Sequence, residues 1–149
     1  MMPVFMEMYD ASENLKFILD PITRLCNLVD MARPQPLISN IPIPRYCHIL
    51  HEMYEMANMY VNEQNFERAL MLYLRFIGTL VNELPKHRNY ENLPWNEKEA
   101  FNCQITHAMN ATEFLKRKIL AIYEEEAITM KNELAAQEKM GFEMTENCC

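Results

Sequence analysis

Between residues 46 and 61 the apolar side chains Tyr46, Ile49, Leu50, Met53, Met56, Ala57, Tyr60 and Val61 recur three and four positions apart. That period gathers side chains on one side of an α-helix. Asn62-Glu-Gln-Asn65 interrupts the pattern and predicts a tight helix–helix connection. The period then resumes through Phe66, Ala69, Leu70, Tyr73, Phe76, Ile77, Leu80, Val81 and Leu84, stopping at Pro85. Lys86, His87 and Arg88 follow, placed to interact favourably with the negative end of the helix dipole. The two periodic stretches predict an antiparallel hairpin.

Upstream, Asp20-Pro21 supplies a capping residue followed by proline at the first helical position, and Ile22, Leu25 and Val29 carry an apolar stripe to about Ala32. Ser12 to Leu19 reads as a separate piece of helix. Pro34, Pro36, Pro42 and Pro44 make "RPQPLISNIPIPRY" an extended connector, because proline donates no N–H and pushes its predecessor out of the helical region. After "NYENLP", a last helix is predicted from Trp95 through Phe101, Ile105, Ala108, Thr112, Leu115, Ile119 and Tyr123 toward Leu134. Some forty residues extend roughly 60 Å at the rise of an α-helix, so the distal end is expected to overrun the hairpin. That end is more charged and is a candidate for a short coiled-coil contact, although sustained heptads are absent. Gly141 is expected to end it.

No stretch alternates with the period of a strand. The expected fold is all-α, an antiparallel helical bundle with a long C-terminal helix. Residues 1–19 are expected to be an extension, 20–140 the domain and 141–149 a tail.

Composition narrows the function classes. A chain of 149 residues suits one domain, which at this size buries about two-thirds of its unfolded surface and needs no metal or disulfide to fold. Two glycines exclude a glycine-rich phosphate loop. The formal charge of −7 argues against a broad nucleic-acid interface. Five scattered cysteines without paired CxxC spacing point to a reducing compartment. No apolar run approaches the ~20 residues of a membrane span, so no transmembrane segment is expected.

"RYCHILHEMYE" sets Cys47, His48, His51, Glu52 and Glu55 on one predicted helix. The zinc-protease helix spaces its histidines at i and i+4, whereas here they stand three apart with no evident third ligand. The preferred reading is therefore a solvated face with His48–Glu52 and His51–Glu55 helical pairs, and no metal or other cofactor. Cys103 and His107 lie on adjoining turns but lack the oxyanion loop a cysteine nucleophile needs. Arg68 and Arg75, with Lys86, His87 and Arg88, form a basic stripe suited either to solubility or to an acidic partner helix. The terminal pair Cys148-Cys149 is not a CaaX box and reads as a free tail.

The span "IPIPRYCHILHEMYEMANMYVNEQNFERALMLYLRFIGTLVNELPKHRNY", above all "LVNELPKHRNY", resembles the N-terminal domain of the AMSH, or STAM-binding, deubiquitinases. The likeness extends from about residue 20 to 125, and departs in the last helix, where "HAMNATEFLK" lacks the proline the family often has. Such domains are MIT-like and are also described as the dimerisation domain of ubiquitin-specific protease 8. The resemblance implies docking onto C-terminal helices of ESCRT-III charged multivesicular body proteins, in the cytoplasm and peripherally on endosomes. Catalysis in that family resides in a separate JAMM metalloprotease domain whose HxH pair this chain lacks, so the chain is not expected to be an enzyme. Met53, Met56, Tyr60, Arg68, Arg75, Lys86, His87 and Arg88 are the expected partner-binding residues. The rival expectation is a homodimerising, structural adaptor domain without direct ESCRT-III binding.

Overall fold

A computed structural model describes residues 11–147, with side chains described from residue 15 to residue 141. Residues 1–10 of the expected extension and the tail cysteines Cys148 and Cys149 lie outside the described residues. Among the described residues the structure is helical throughout, without strands: α1 (Ala11–Leu19), α2 (Pro21–Met31), α3 (Ile43–Asn62), α4 (Phe66–Gly78) and α5 (Trp95–Asn147). The described residues form two compact units, one of residues 26–119 and one of residues 11–25 with 120–147. The α5 helix runs through both.

Within the larger unit the sequence periodicity becomes the core. Leu50, Ala57, Ala69, Leu70, Phe76, Leu84, Ala108 and Leu115 are fully buried, with Tyr73 and Phe101 nearly so. Each large side chain of that set contributes ~1.5–3 kcal/mol by leaving water. Pro42, in the extended region, precedes α3, and Pro44 sits in its first turn, where no intrahelical N–H is required. The turn to α4 closes as the Asn65 N–H donates to the Tyr60 carbonyl at 2.8 Å. Gln64 takes a left-handed φ of 61° there, a conformation that costs a non-glycine residue ~1–2 kcal/mol and is held by the hairpin on either side.

Beyond Gly78 the helix changes pitch. Thr79–Glu83 form a π-helical turn and Leu84–Lys86 a 3-10 turn, so the predicted single helix to Pro85 is three pieces. The wider turn offsets everything after Gly78 relative to α4, which aims Glu83 at the connector.

In the smaller unit, Asp20 caps α2 as expected: its carboxylate accepts the Thr23 hydroxyl at 2.7 Å and the Thr23 N–H at 3.2 Å. Those bonds hold the Asp20 carboxyl below its ordinary value, so what it adds to stability is present at neutral pH and lost in acid. Arg24 is fully buried, with Nη1 on Glu126 Oε2 at 2.5 Å and its guanidinium 3.7 Å from the Tyr123 ring centroid. A planar guanidinium both stacks and pairs, which a lysine does not.

Two expectations are corrected. Gly141 does not stop α5: helix continues to Asn147, and no glycine takes the positive φ that a glycine cap uses. The His51–Glu55 pair is replaced by a contact across the bundle. His51 stacks on Phe101 at 4.5 Å, its Nε2 lies 2.7 Å from Glu97 and its Nδ1 3.1 Å from Gln104. A half-buried aromatic stack with two polar partners outweighs an exposed i,i+4 pair worth a few tenths of a kcal/mol.

Candidate functional site

The last residue of α2 and the connector that follows it are pinned at five points to α3, α4 and the turns after α4. Arg75 Nη2 donates to the Met31 carbonyl at 3.2 Å, satisfying the C-terminus of α2. The Pro34 ring lies against Gly78, so close that a β-carbon on Gly78 would stand 2.8 Å from Pro34 Cγ. The Leu37 N–H donates to Glu83 Oε2 at 3.0 Å, and the Ile38 N–H to the Tyr46 hydroxyl at 2.7 Å. His87 closes the clamp. Its Nε2 donates to the Ile41 carbonyl at 2.8 Å while Nδ1 accepts the Asn89 N–H at 3.1 Å, an arrangement that fixes one neutral tautomer.

The clamp leaves a groove of about 540 Å³ between connector and hairpin, with walls that include Met31, Pro34, Ile41, Ile49, Met53 and Arg75. Its surface is mostly apolar, and Arg75 is the charged group that enters it from α4. A preformed concave site of this size, with apolar walls and few polar groups, matches what small ligands and peptide side chains occupy.

The eight residues expected to bind a partner fall into separate environments. Met53 and Arg75 share the groove wall, Met53 half-buried and Arg75 bonded to Met31. Met56 is 47 % exposed on α3. Near the hairpin turn, the Arg68 guanidinium lies 5.8 Å from the half-buried Tyr60 ring. Lys86 and Arg88 are exposed, Lys86 pairing with Glu83 at 3.4 Å. His87 is 5 % exposed, with both ring nitrogens engaged by the backbone, so it builds the connector clamp. Sequence reasoning read Tyr46 only as part of the apolar stripe and gave Gly78 and Glu83 no role. The run of prolines facing a lone glycine in a helix was the available signal.

Other candidate chemistry disperses. His48 pairs with Glu52 at 3.0 Å on the solvated face, as expected. His107 meets the Tyr54 hydroxyl through Nδ1 at 2.6 Å, and Cys103 is exposed. Among the described residues, no three His, Cys, Asp or Glu side chains gather to hold a metal, and no helix is long and apolar enough to cross a membrane. Cys47 is 4 % exposed, and burial followed by the charge of Glu97 pushes its thiol up to about 11. At pH 8 Cys47 is therefore expected to react with iodoacetamide far more slowly than the exposed Cys26 and Cys103, as peptide mass spectrometry of the alkylated protein would read. Because the folded state favours the neutral thiol, the associated stability is intact below pH ~9 and is lost as the pH rises through about 11.

The sequence profile of the USP8 dimerisation domain matches residues 19–126, most of the chain. The chain belongs to the USP8 dimerisation domain family. STAM-binding protein-like A of Danio rerio is 32% identical to it over 119 residues, covering 78% of this chain and 27% of that protein. The AMSH-like protease of Homo sapiens is 31% identical over 123 residues, covering 80% of this chain and 28% of that protein. The STAM-binding protein of Rattus norvegicus is 32% identical over 117 residues. The chain thus spans about a quarter of the length of these relatives. The resemblance to the N-terminal domain of the AMSH family is borne out, as is the all-α bundle.

Proposed function

We propose that this USP8 dimerisation domain is a non-catalytic docking module that binds C-terminal helices of ESCRT-III charged multivesicular body proteins on endosomes and brings a deubiquitinase to them. The observation that carries the reading is the outer surface of the α3–α4 hairpin. Met56 exposes an adaptable apolar side chain, with Arg68, Lys86 and Arg88 exposing positive charge on a chain whose net charge is −7, and Met53 and Arg75 add the same chemistry at the groove wall. An amphipathic helix with acidic flanks suits such a surface, its apolar anchors spaced three and four apart. Tyr60, beside Arg68, extends the apolar surface toward the turn. His87 holds the connector beside α3 through the Ile41 carbonyl.

Titration calorimetry of a panel of ESCRT-III C-terminal peptides into the 149-residue protein tests this. Binding by at least one peptide is expected, weakened about tenfold or more by Met56→Asp or Arg68→Glu, both surface changes. A panel without heat of binding ends the proposal.

A second reading, homodimerisation, is favoured by the family's own description and by large apolar side chains exposed on α5, with Trp95 73 % and Phe114 52 % exposed. Light scattering across a concentration series reads it directly: a dimer that ignores the peptides selects this reading over docking.

A further inference from the structure

We infer that the groove between the connector and the α3–α4 hairpin binds a short extended peptide segment in which an acidic side chain is flanked by apolar residues. This is a second mode of recognition, beyond the helix docking proposed above.

Charge identifies one feature of the occupant. Arg75 is half-buried on the groove wall, its hydrogen bond runs from Nη2 to the Met31 carbonyl, and no ion pair among the described residues includes it. A guanidinium offers five N–H donors in a planar fork that matches a carboxylate. No Asp or Glu lines the groove, while Arg33 adds a second positive group at its rim. Of the neighbouring acids, Asp30 pairs with Arg33 itself at 3.8 Å, so the guanidinium left for a ligand is that of Arg75, and Glu83 is turned toward the Leu37 N–H and Lys86.

Size and backbone identify the rest. The groove holds about 540 Å³ and suits a few residues of extended chain. Met31, Ile49 and Met53 provide apolar contact for the residues beside the acid. Along the connector, Pro34 and Pro36 carry no N–H, and the N–H groups of Arg33 and Gln35 make no hydrogen bond among the described residues. An extended segment finds main-chain donors there. The five-point clamp has already ordered the connector, so binding loses little conformational entropy.

Heptapeptides with a fixed central proline, which disfavours helix, are displayed on phage and selected against the whole 149-residue protein. Synthetic versions of the enriched peptides are then measured by fluorescence polarisation. The expected consensus places Asp or Glu beside an apolar residue. Changing that acid to its amide, or the protein by Arg75→Gln, weakens binding about tenfold or more. Ile38→Glu, at a rim position 51 % exposed and so tolerant of change, also weakens it and decides the matter should Arg75→Gln fail to fold. A selection without acidic preference overturns the inference, as does affinity unchanged in a folded Arg75→Gln or in Ile38→Glu. Heptapeptides that bind where ESCRT-III helices do not would remove helix docking and keep the groove; helices that bind while no heptapeptide is enriched would remove the groove.

Discussion

Phe76→Ala is expected to destabilise the unit of residues 26–119 by about 3–5 kcal/mol, lowering the urea midpoint without changing the slope of the transition. Phe76 is fully buried and its ring lies 5.4 Å from that of Tyr54 and 6.4 Å from that of Phe101, so it joins α3, α4 and α5. Truncation removes the transfer energy of the ring and leaves a cavity that three helices line and none can fill alone. The conservative Phe76→Leu keeps much of the volume and is expected to cost no more than about 1.5 kcal/mol. A Phe76→Ala loss below about 1 kcal/mol in equilibrium urea denaturation would mean that the three helices do not share this core.

Gly78→Ala should destabilise the protein, although glycine to alanine at an ordinary helical position stabilises by about 1 kcal/mol. Gly78 has ordinary helical torsions, φ −62° and ψ −42°, so no conformational need for glycine opposes the change. The obstacle is Pro34, whose Cγ and Cδ would lie 2.8 and 3.0 Å from the new β-carbon. A proline ring is tied to its own backbone and cannot swing aside, so the connector must move. Overpacking of this kind costs ~1–3 kcal/mol, enough to reverse the sign, and Gly78→Leu belongs at the upper end. Pro34→Ala removes the obstacle. In that background Gly78→Ala is expected to turn stabilising, and thermal unfolding of the four proteins of the cycle should give a coupling of ~1 kcal/mol or more. Additive effects would show that the two residues do not touch.

The pattern of apolar positions placed α2, α3 and the start of α4 to within a few residues because burial, turn chemistry and proline all pointed the same way. Pro21 and Asp20 marked one start, Pro42 and Pro44 another, and Asn62–Asn65 the reversal. The end of α4 was less legible. A π-helical turn at Thr79–Glu83 leaves no period in the sequence, because it lies between contacts made far along the chain, Gly78 on Pro34 and Glu83 on Leu37. Gly141 misled for a related reason. A glycine ends a helix when the left-handed conformation is used, and nothing within 4 Å of its Cβ position asks the chain to turn there.

By itself the sequence determined the helical period, the proline-bounded connector, the net negative charge and the resemblance that the family match bears out. Each is a property of neighbouring residues or of linear similarity, and none needs a partner far along the chain. Only the tertiary structure decided what His51, Arg75 and His87 do. Arg75 meets Met31 forty-four residues earlier, and His51 and His87 each find a partner forty-six residues away, in Glu97 and Ile41. Local spacing suggested i,i+4 pairs and a surface stripe. Instead, both ring nitrogens of His51, one of His87 and one nitrogen of Arg75 meet groups that come near only when the connector folds back across the hairpin and α5 packs against α3.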